Sequence, residues 1–227
     1  MSTETNTCQY CNKSFVKPTT LFVHVCEKKR RALAQHDKNV VVGFDTYRKF
    51  FLLNQKNKRV MDYQEFSSSP YYNAFVKFGS FVSNVNPLYP DNFIDYVIKS
   101  GVKLDHWCRD ELYDKYVVEL LKSENVETAL NRSVNHMVIW ADKHNTCWND
   151  YFLSASISRI TYDIKDGKIS PWLILHSPSA KTLLRQMTDE QLALITTAID
   201  PQFWMTKFKR NPADVEFVKQ IIKESVL

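Results

Sequence analysis

Residues 188–225 read TDEQLALITTAIDPQFWMTKFKRNPADVEFVKQIIKES, and this stretch decides the fold class. Thr188-Asp-Glu-Gln191 is a capping box, in which a hydroxyl and an amide three residues apart satisfy each other's backbone N–H groups at a helix start. Leu192, Leu194, Ile195 and Ala198 follow as an apolar run. Asp200-Pro201 then places a cap residue before a proline at the first helical position, and Asn211-Pro212 repeats the device. Phe203, Trp204 and Phe208 fill the helix between them, and Ala213–Ser225 forms the last one. Helix starts spaced this closely leave no room for strands and predict tight helix-to-helix joints.

Working back towards the N-terminus, the same grammar continues. Ser177 or Ser179 opens a helix through Met187, and Ser170-Pro171 favours a short helix over a strand. Trp148 to Ile164 reads as one helix ended by Asp166-Gly167. Asn125 caps a long helix carrying Ala129, Leu130, Val134, Met137, Val138 and Ala141, and Asp105 caps a helix over 106–122. Pro90 or Asp91 starts a helix that stops at Gly101, a residue suited to the left-handed position past a helix end. Ser67-Ser-Ser-Pro70 marks a boundary before a helix over 71–82 with Tyr72, Phe75, Phe78 and Val82 at helical spacing. Those aromatics read as core, with base stacking as the other use. Asp45 opens a helix over 46–54, Val40–Gly43 is a strand or a linker, and 55–59 is a basic loop. The body is therefore expected to be all-α, a multi-helix orthogonal bundle without a repeat of fixed period.

One segment carries a motif. Cys8-x2-Cys11-x3-Phe15-x5-Leu21-x2-His24 sets two thiols on a tight turn and, after twelve intervening residues, an imidazole. Phe15 and Leu21 stand where a mini-core needs apolar plugs. Zinc takes four such soft or borderline ligands in a tetrahedron, and three are present. Cys26 is the obvious fourth, with His36 in reserve. Residues i and i+2 of a helix point about 200° apart, so His24 and Cys26 can face one metal only if the helix breaks at Val25. The frame predicts a short first helix, a break, and a fresh basic helix from Glu27 to Gln35. Residues 6–26 resemble a C2H2-type zinc finger, in a variant with cysteine as the last ligand. The resemblance implies a Zn2+ ion on Cys8, Cys11, His24 and Cys26. The expected division is a finger with its basic helix over 1–38 and an α-helical domain over 39–227.

Composition narrows the function. The chain has 227 residues, of which 44% are hydrophobic and 13% aromatic, enough for a sizeable core. It has no apolar run long enough for a membrane span and no secretory pattern at Met1–Tyr10. Three of the five cysteines belong to the finger, and a reducing, cytoplasmic setting fits the remaining pair, Cys108 and Cys147. Gly43, Gly79, Gly101 and Gly167 are isolated, which excludes P-loop and dinucleotide fingerprints.

The net charge of +5 is unevenly spread. Residues 1–60 hold 12 Lys/Arg against 4 Asp/Glu, whereas residues 61–227 hold 18 against 21. Lys13, Lys17, Lys28, Lys29, Arg30 and Arg31 are the candidate phosphate contacts, followed by Arg48, Lys49, Lys56, Lys58 and Arg59. A basic end on a nearly neutral body points to nucleic acid, DNA before RNA, and otherwise to an acidic protein partner.

No residue is assigned a catalytic role. His106, Cys108, His144 and Cys147 have poor spacing for a second metal, and no local pattern pairs Cys108 with His136 or His106 as a nucleophile. Asp91, Asp95, Asp105, Asp110, Glu111 and Asp114 are dense enough to raise a metal-dependent nuclease, but helix caps and i,i+4 pairs account for them. Finger, basic helix and an aromatic body such as Ser69–Gly79 together resemble the accessory proteins of large tailed phages, helicase loaders among them. Finger, basic segment and helical body together point to a non-enzymatic accessory protein that binds nucleic acid and docks a partner protein; the alternatives are a protein-interaction or virion-assembly factor with a structural finger, and after it a metal-dependent nuclease.

Overall fold

The computed structural model describes residues 6–54 and 59–227, and among these the chain is all-α apart from one two-stranded ribbon. No described helix is long and apolar enough to cross a membrane. The chain forms two compact units that meet in sequence at Arg109 and Asp110.

The first unit begins with strands β1 (Asn6–Thr7) and β2 (Ser14–Phe15), paired antiparallel, and helices α1 (Pro18–Val23) and α2 (Glu27–Leu33). Its body is α3 (Lys38–Asn54), α4 (Tyr63–Ser68), α5 (Tyr72–Val85) and α6 (Pro90–Lys99). Val40–Gly43, read from sequence as strand or linker, lies inside α3. The reason is tertiary. Val40 is buried, and α3 crosses α5 at two glycines. A methyl group on Gly79 would stand 2.0 Å from the Asn39 carbonyl oxygen, and one on Gly43 would stand 2.7 Å from that of Phe75. The backbones meet because neither residue has a side chain.

Around this crossing Tyr47, Phe66, Phe75, Phe78 and Trp107 pack ring against ring. The indole of Trp107 donates to the Val102 carbonyl at 2.8 Å. This anchoring holds Trp107 outside any long helix. The expected helix over 106–122 is replaced by a single 3-10 turn at Leu104–His106 and a helix that starts at Asp110. The short α4 escaped the sequence reading although Asp62 and Glu65 form a capping box before it. The basic loop read at 55–59 lies outside the described residues up to Lys58.

The second unit comprises α7 (Asp110–Ser123), α8 (Val126–His144), α9 (Tyr151–Ser154), α10 (Ile157–Lys165) and α11 (Pro171–Ile174). It continues with α12 (Pro178–Leu184), α13 (Asp189–Ile195), α14 (Pro201–Arg210) and α15 (Pro212–Ser225). Asn125, Ser156, Ser170, Ser177, Thr188 and Asp200 each accept a backbone N–H at the start of the following helix. Asn211 does otherwise. Its amide donates back to the Lys207 carbonyl at 2.7 Å, so it closes α14 rather than capping α15. Met137, Ile160, Ile164, Trp172 and Trp204 are fully buried in this unit.

The single helix expected over 148–164 is broken into a 3-10 turn, α9 and α10. Ala155 is extended and Ser156 caps α10. The break lets two short helices aim at one buried carboxylate. Asp163 accepts from the Tyr151 hydroxyl at 2.7 Å, Arg159 Nε at 2.6 Å and Lys168 Nζ at 3.3 Å, and lies 2.9 Å from His136 Nε2. Burial alone would push this carboxyl up, but the hydrogen bonds from His136, Arg159 and Tyr151 hold it well below the usual carboxylate range.

Candidate metal centre

The N-terminal ribbon builds the first half of the site. Cys8 N–H donates to the Lys13 carbonyl at 2.9 Å and Asn12 N–H to that of Cys8 at 2.8 Å, closing a tight loop. Asn12 takes a left-handed φ of 59°, a conformation asparagine tolerates better than most residues. Cys8 is buried at the base of this loop and Cys11 is half-buried beside it.

The second half depends on the predicted break. α1 starts with Pro18 at its first position and ends at His24, whose backbone turns extended at ψ 121°. Cys26 is extended as well and becomes the cap of α2, its sulfur accepting the Lys29 N–H at 3.4 Å. Residues two apart can thus face one point, because neither lies in a regular helix. Phe15 packs on the His24 ring with centroids 4.7 Å apart, fixing the imidazole from behind.

The outcome is a cluster of four ligand atoms, from Cys8, Cys11, His24 and Cys26, all within 4.8 Å of one another. Zn–S and Zn–N bonds of ordinary length put tetrahedral ligand atoms about 3.5–3.8 Å apart. The Cys11 sulfur and His24 Nε2 already stand at 3.3 Å. Three thiols and one imidazole are also the donor set that favours zinc over oxygen-loving cations. The cluster is compatible with a Cys3His zinc site of the closed, structural kind. His36, the reserve ligand, is exposed in the turn after α2 and is not in the cluster.

The thiols divide their charge unevenly. At Cys8 burial works against ionisation, but the backbone N–H groups of Cys11 and Tyr10 outweigh it and lower the pKa. At Cys11 a backbone hydrogen bond at Lys13 lowers the pKa, yet burial and the thiols of Cys8 and Cys26 win and raise it. Three converging thiols resist full ionisation together, and a divalent cation among them removes that resistance.

The six candidate phosphate contacts fall into two groups. Lys13, Lys17, Lys28 and Arg30 are exposed, although Arg30 pairs with Glu27. Lys29 and Arg31 are engaged in the structure itself. Lys29 Nζ donates to the His24 carbonyl at 3.3 Å. Arg31 bonds Glu27 at 3.0 Å and the Ser67 carbonyl at 2.8 Å, and lies over the Tyr72 ring at 4.3 Å. Its side chain is 17% exposed and ties α2 to the helices behind it. In sequence Arg31 is simply the fourth member of a basic run, and nothing local marks it as a tether.

The other constellations considered from sequence do not assemble. Asp91 and Asp95 pair with Lys49, and Asp114 with Lys165. His144 Nδ1 is 2.7 Å from the Trp140 carbonyl, and Cys147 is exposed. Among the described residues, no other group of three or more His, Cys, Asp or Glu side chains converges as the N-terminal four do.

The site thus defines a finger-like element in which three cysteines and one histidine stand close enough to hold a metal ion, in an otherwise all-α chain among the described residues. No protein-family model, curated protein or solved structure matches the chain, so the likeness to phage accessory proteins has no relative behind it.

Proposed function

We propose that the protein is a zinc-stabilised nucleic-acid-binding accessory protein without catalytic activity of its own. Zn2+ on Cys8, Cys11, His24 and Cys26 locks ribbon, α1 and α2 into one element, and Lys13, Lys17, Lys28 and Arg30 meet the phosphate backbone from it. The observation that carries the reading is the convergence of the four ligands within 4.8 Å beside exposed cations. When bound, the metal supplies rigidity and offsets two of the three thiolate charges. The protein's own residues do the rest: Phe15 holds the His24 ring, Lys29 N–H and Nζ tie Cys26 and the His24 carbonyl, and Arg31 anchors α2.

A second reading has an observation of its own. Val16, Phe22, Val23 and Val25 are between 64% and 96% exposed, more than a finger needs to leave uncovered, which suits a protein-docking element. Fluorescence anisotropy against single- and double-stranded DNA over a salt series, with and without a chelator, tests the leading reading. Binding that falls steeply with salt and collapses on chelation is expected. Replacing Lys13, Lys17, Lys28 and Arg30 together by alanine should flatten the slope by roughly 0.7–0.9 for each phosphate that is no longer neutralised. Absence of binding at low salt refutes the nucleic-acid reading and leaves protein docking.

A further inference from the structure

The cluster has a groove beside it. The groove encloses about 360 Å³, and among the described residues it is lined by eight, the ligands Cys8 and His24 in its wall together with Tyr10, Phe22, Gln9, Leu21 and Lys29. That volume lies at the lower end of the range of small-molecule sites, about 300–1,000 Å³. Among the described residues no carboxylate lines it.

Phe22 is the unusual member. Its neighbour Leu21 is half-buried in the finger, but Phe22 is 85% exposed and, among the described residues, stands outside the ring contacts that organise the first unit. An exposed aromatic on a cationic surface offers a stacking face. Tyr10 lines the same groove and supplies a second ring. Gln9, exposed at its edge, carries both a donor and an acceptor. Lys29 has N–H groups left beyond its bond to the His24 carbonyl. Two rings, an amide and a cation match a flat, polar-edged base attached to phosphate.

The length of α1 argues against reading a duplex. Its six residues span about 9 Å. In finger helices that enter the major groove, bases are met from the position before the helix and from its third and sixth residues. Here those are Lys17, Thr20 and Val23, and Val23 can hydrogen-bond no base edge. The closing cysteine then turns the chain away after His24.

From these features we infer that the groove between Tyr10 and Phe22 receives an unpaired base, so that the protein binds single-stranded nucleic acid in preference to duplex. This inference rests on the nucleic-acid reading above. A base stacks on Phe22 with its edge towards Gln9, while the adjoining phosphates meet Lys29 and the exposed Lys13, Lys17 and Lys28.

The test uses the full chain loaded with zinc and three fluorescent probes. These are an oligothymidine of about 12 nucleotides, an abasic oligomer of equal length and a duplex of equal length. Phe22→Ala should weaken oligothymidine binding roughly 5- to 150-fold, the worth of one stacked base. It should leave the abasic oligomer and the duplex unchanged. Phe22→Trp should retain binding. Zinc content of each variant shows that the finger still forms. Three results overturn the inference: equal binding of oligothymidine by wild type and Phe22→Ala, equal wild-type affinity for abasic and base-bearing strands, or a preference for duplex. Any of these with a steep salt slope leaves the phosphate-binding reading standing. No binding to any probe at low salt removes both.

Discussion

Cys26 has two tasks in this structure, and substitutions can separate them. Its sulfur is the fourth member of the ligand cluster and also the acceptor that caps α2 through Lys29 N–H. Structural zinc contributes about 10–16 kcal/mol to folding of a finger. An even share among four ligands is about 3 kcal/mol, or roughly 100-fold in metal affinity. Cys26→Ala should therefore weaken zinc binding about 100-fold or more, and should also destabilise the metal-free α2 start by about 1 kcal/mol through loss of the cap. Cys26→Ser loses the thiolate but keeps an oxygen for the Lys29 N–H, so it should match the alanine variant in zinc affinity and exceed it in metal-free stability. His36→Ala should change neither, since α2 alone spans about 10 Å between the cluster and that imidazole. Cobalt titration followed by absorbance, with zinc competition, reads affinity, and circular dichroism in chelator reads the metal-free helix. Wild-type affinity in Cys26→Ala, or an equal loss in His36→Ala, refutes the ligand assignment.

Three further outcomes follow from particular side chains. Gly79→Ala gains about 1 kcal/mol of helix propensity but drives a methyl to 2.0 Å from the Asn39 carbonyl oxygen. The clash should win, with a net loss of about 1–3 kcal/mol in urea unfolding; a variant as stable as wild type refutes the close crossing. Arg31→Ala should destabilise the first unit by about 2 kcal/mol, because it removes a half-buried guanidinium from Ser67, Glu27 and Tyr72, whereas Lys28→Ala should leave unfolding unchanged. Asp163 sets an acid limit on stability. Its folded pKa is depressed, so its contribution is complete above the ordinary carboxylate value of about 3.9 and is lost as pH falls below that through the folded value. Asp163→Asn should lower stability at pH 7 and shrink the loss between neutral pH and pH 3. An unchanged acid profile in the variant speaks against the buried hub.

Much of the architecture was legible because its signals are local. A cap is a side chain bonding a backbone group two or three residues away, so Asn125, Ser170, Thr188 and Asp200 announce their helices within a few residues. The finger is legible for a related reason. The ligand spacers, the two apolar plugs and the i,i+2 conflict between His24 and Cys26 all lie within residues 8–26, and the conflict alone required the break the structure has. Where the sequence misled, the deciding partner came from far along the chain. Val40–Gly43 has weak helix propensity, and it is helical because α5 presses Gly79 against it. Trp107 fits a helix pattern, and it is held out of one by the rings of Phe50, Phe75 and Phe78.

The basic block shows the same limit at the functional end. By itself the sequence determined that the chain is helical, that a four-ligand cluster forms near its start, and that the positive charge gathers there. Only the tertiary structure decided that Arg31 is committed to Ser67 and Tyr72, that His36 stands apart from the cluster, and that Phe22 is left bare beside a groove. Capping, ligand spacing and net charge act over a few residues or sum over many. The surroundings of one side chain depend on segments that meet it only after folding.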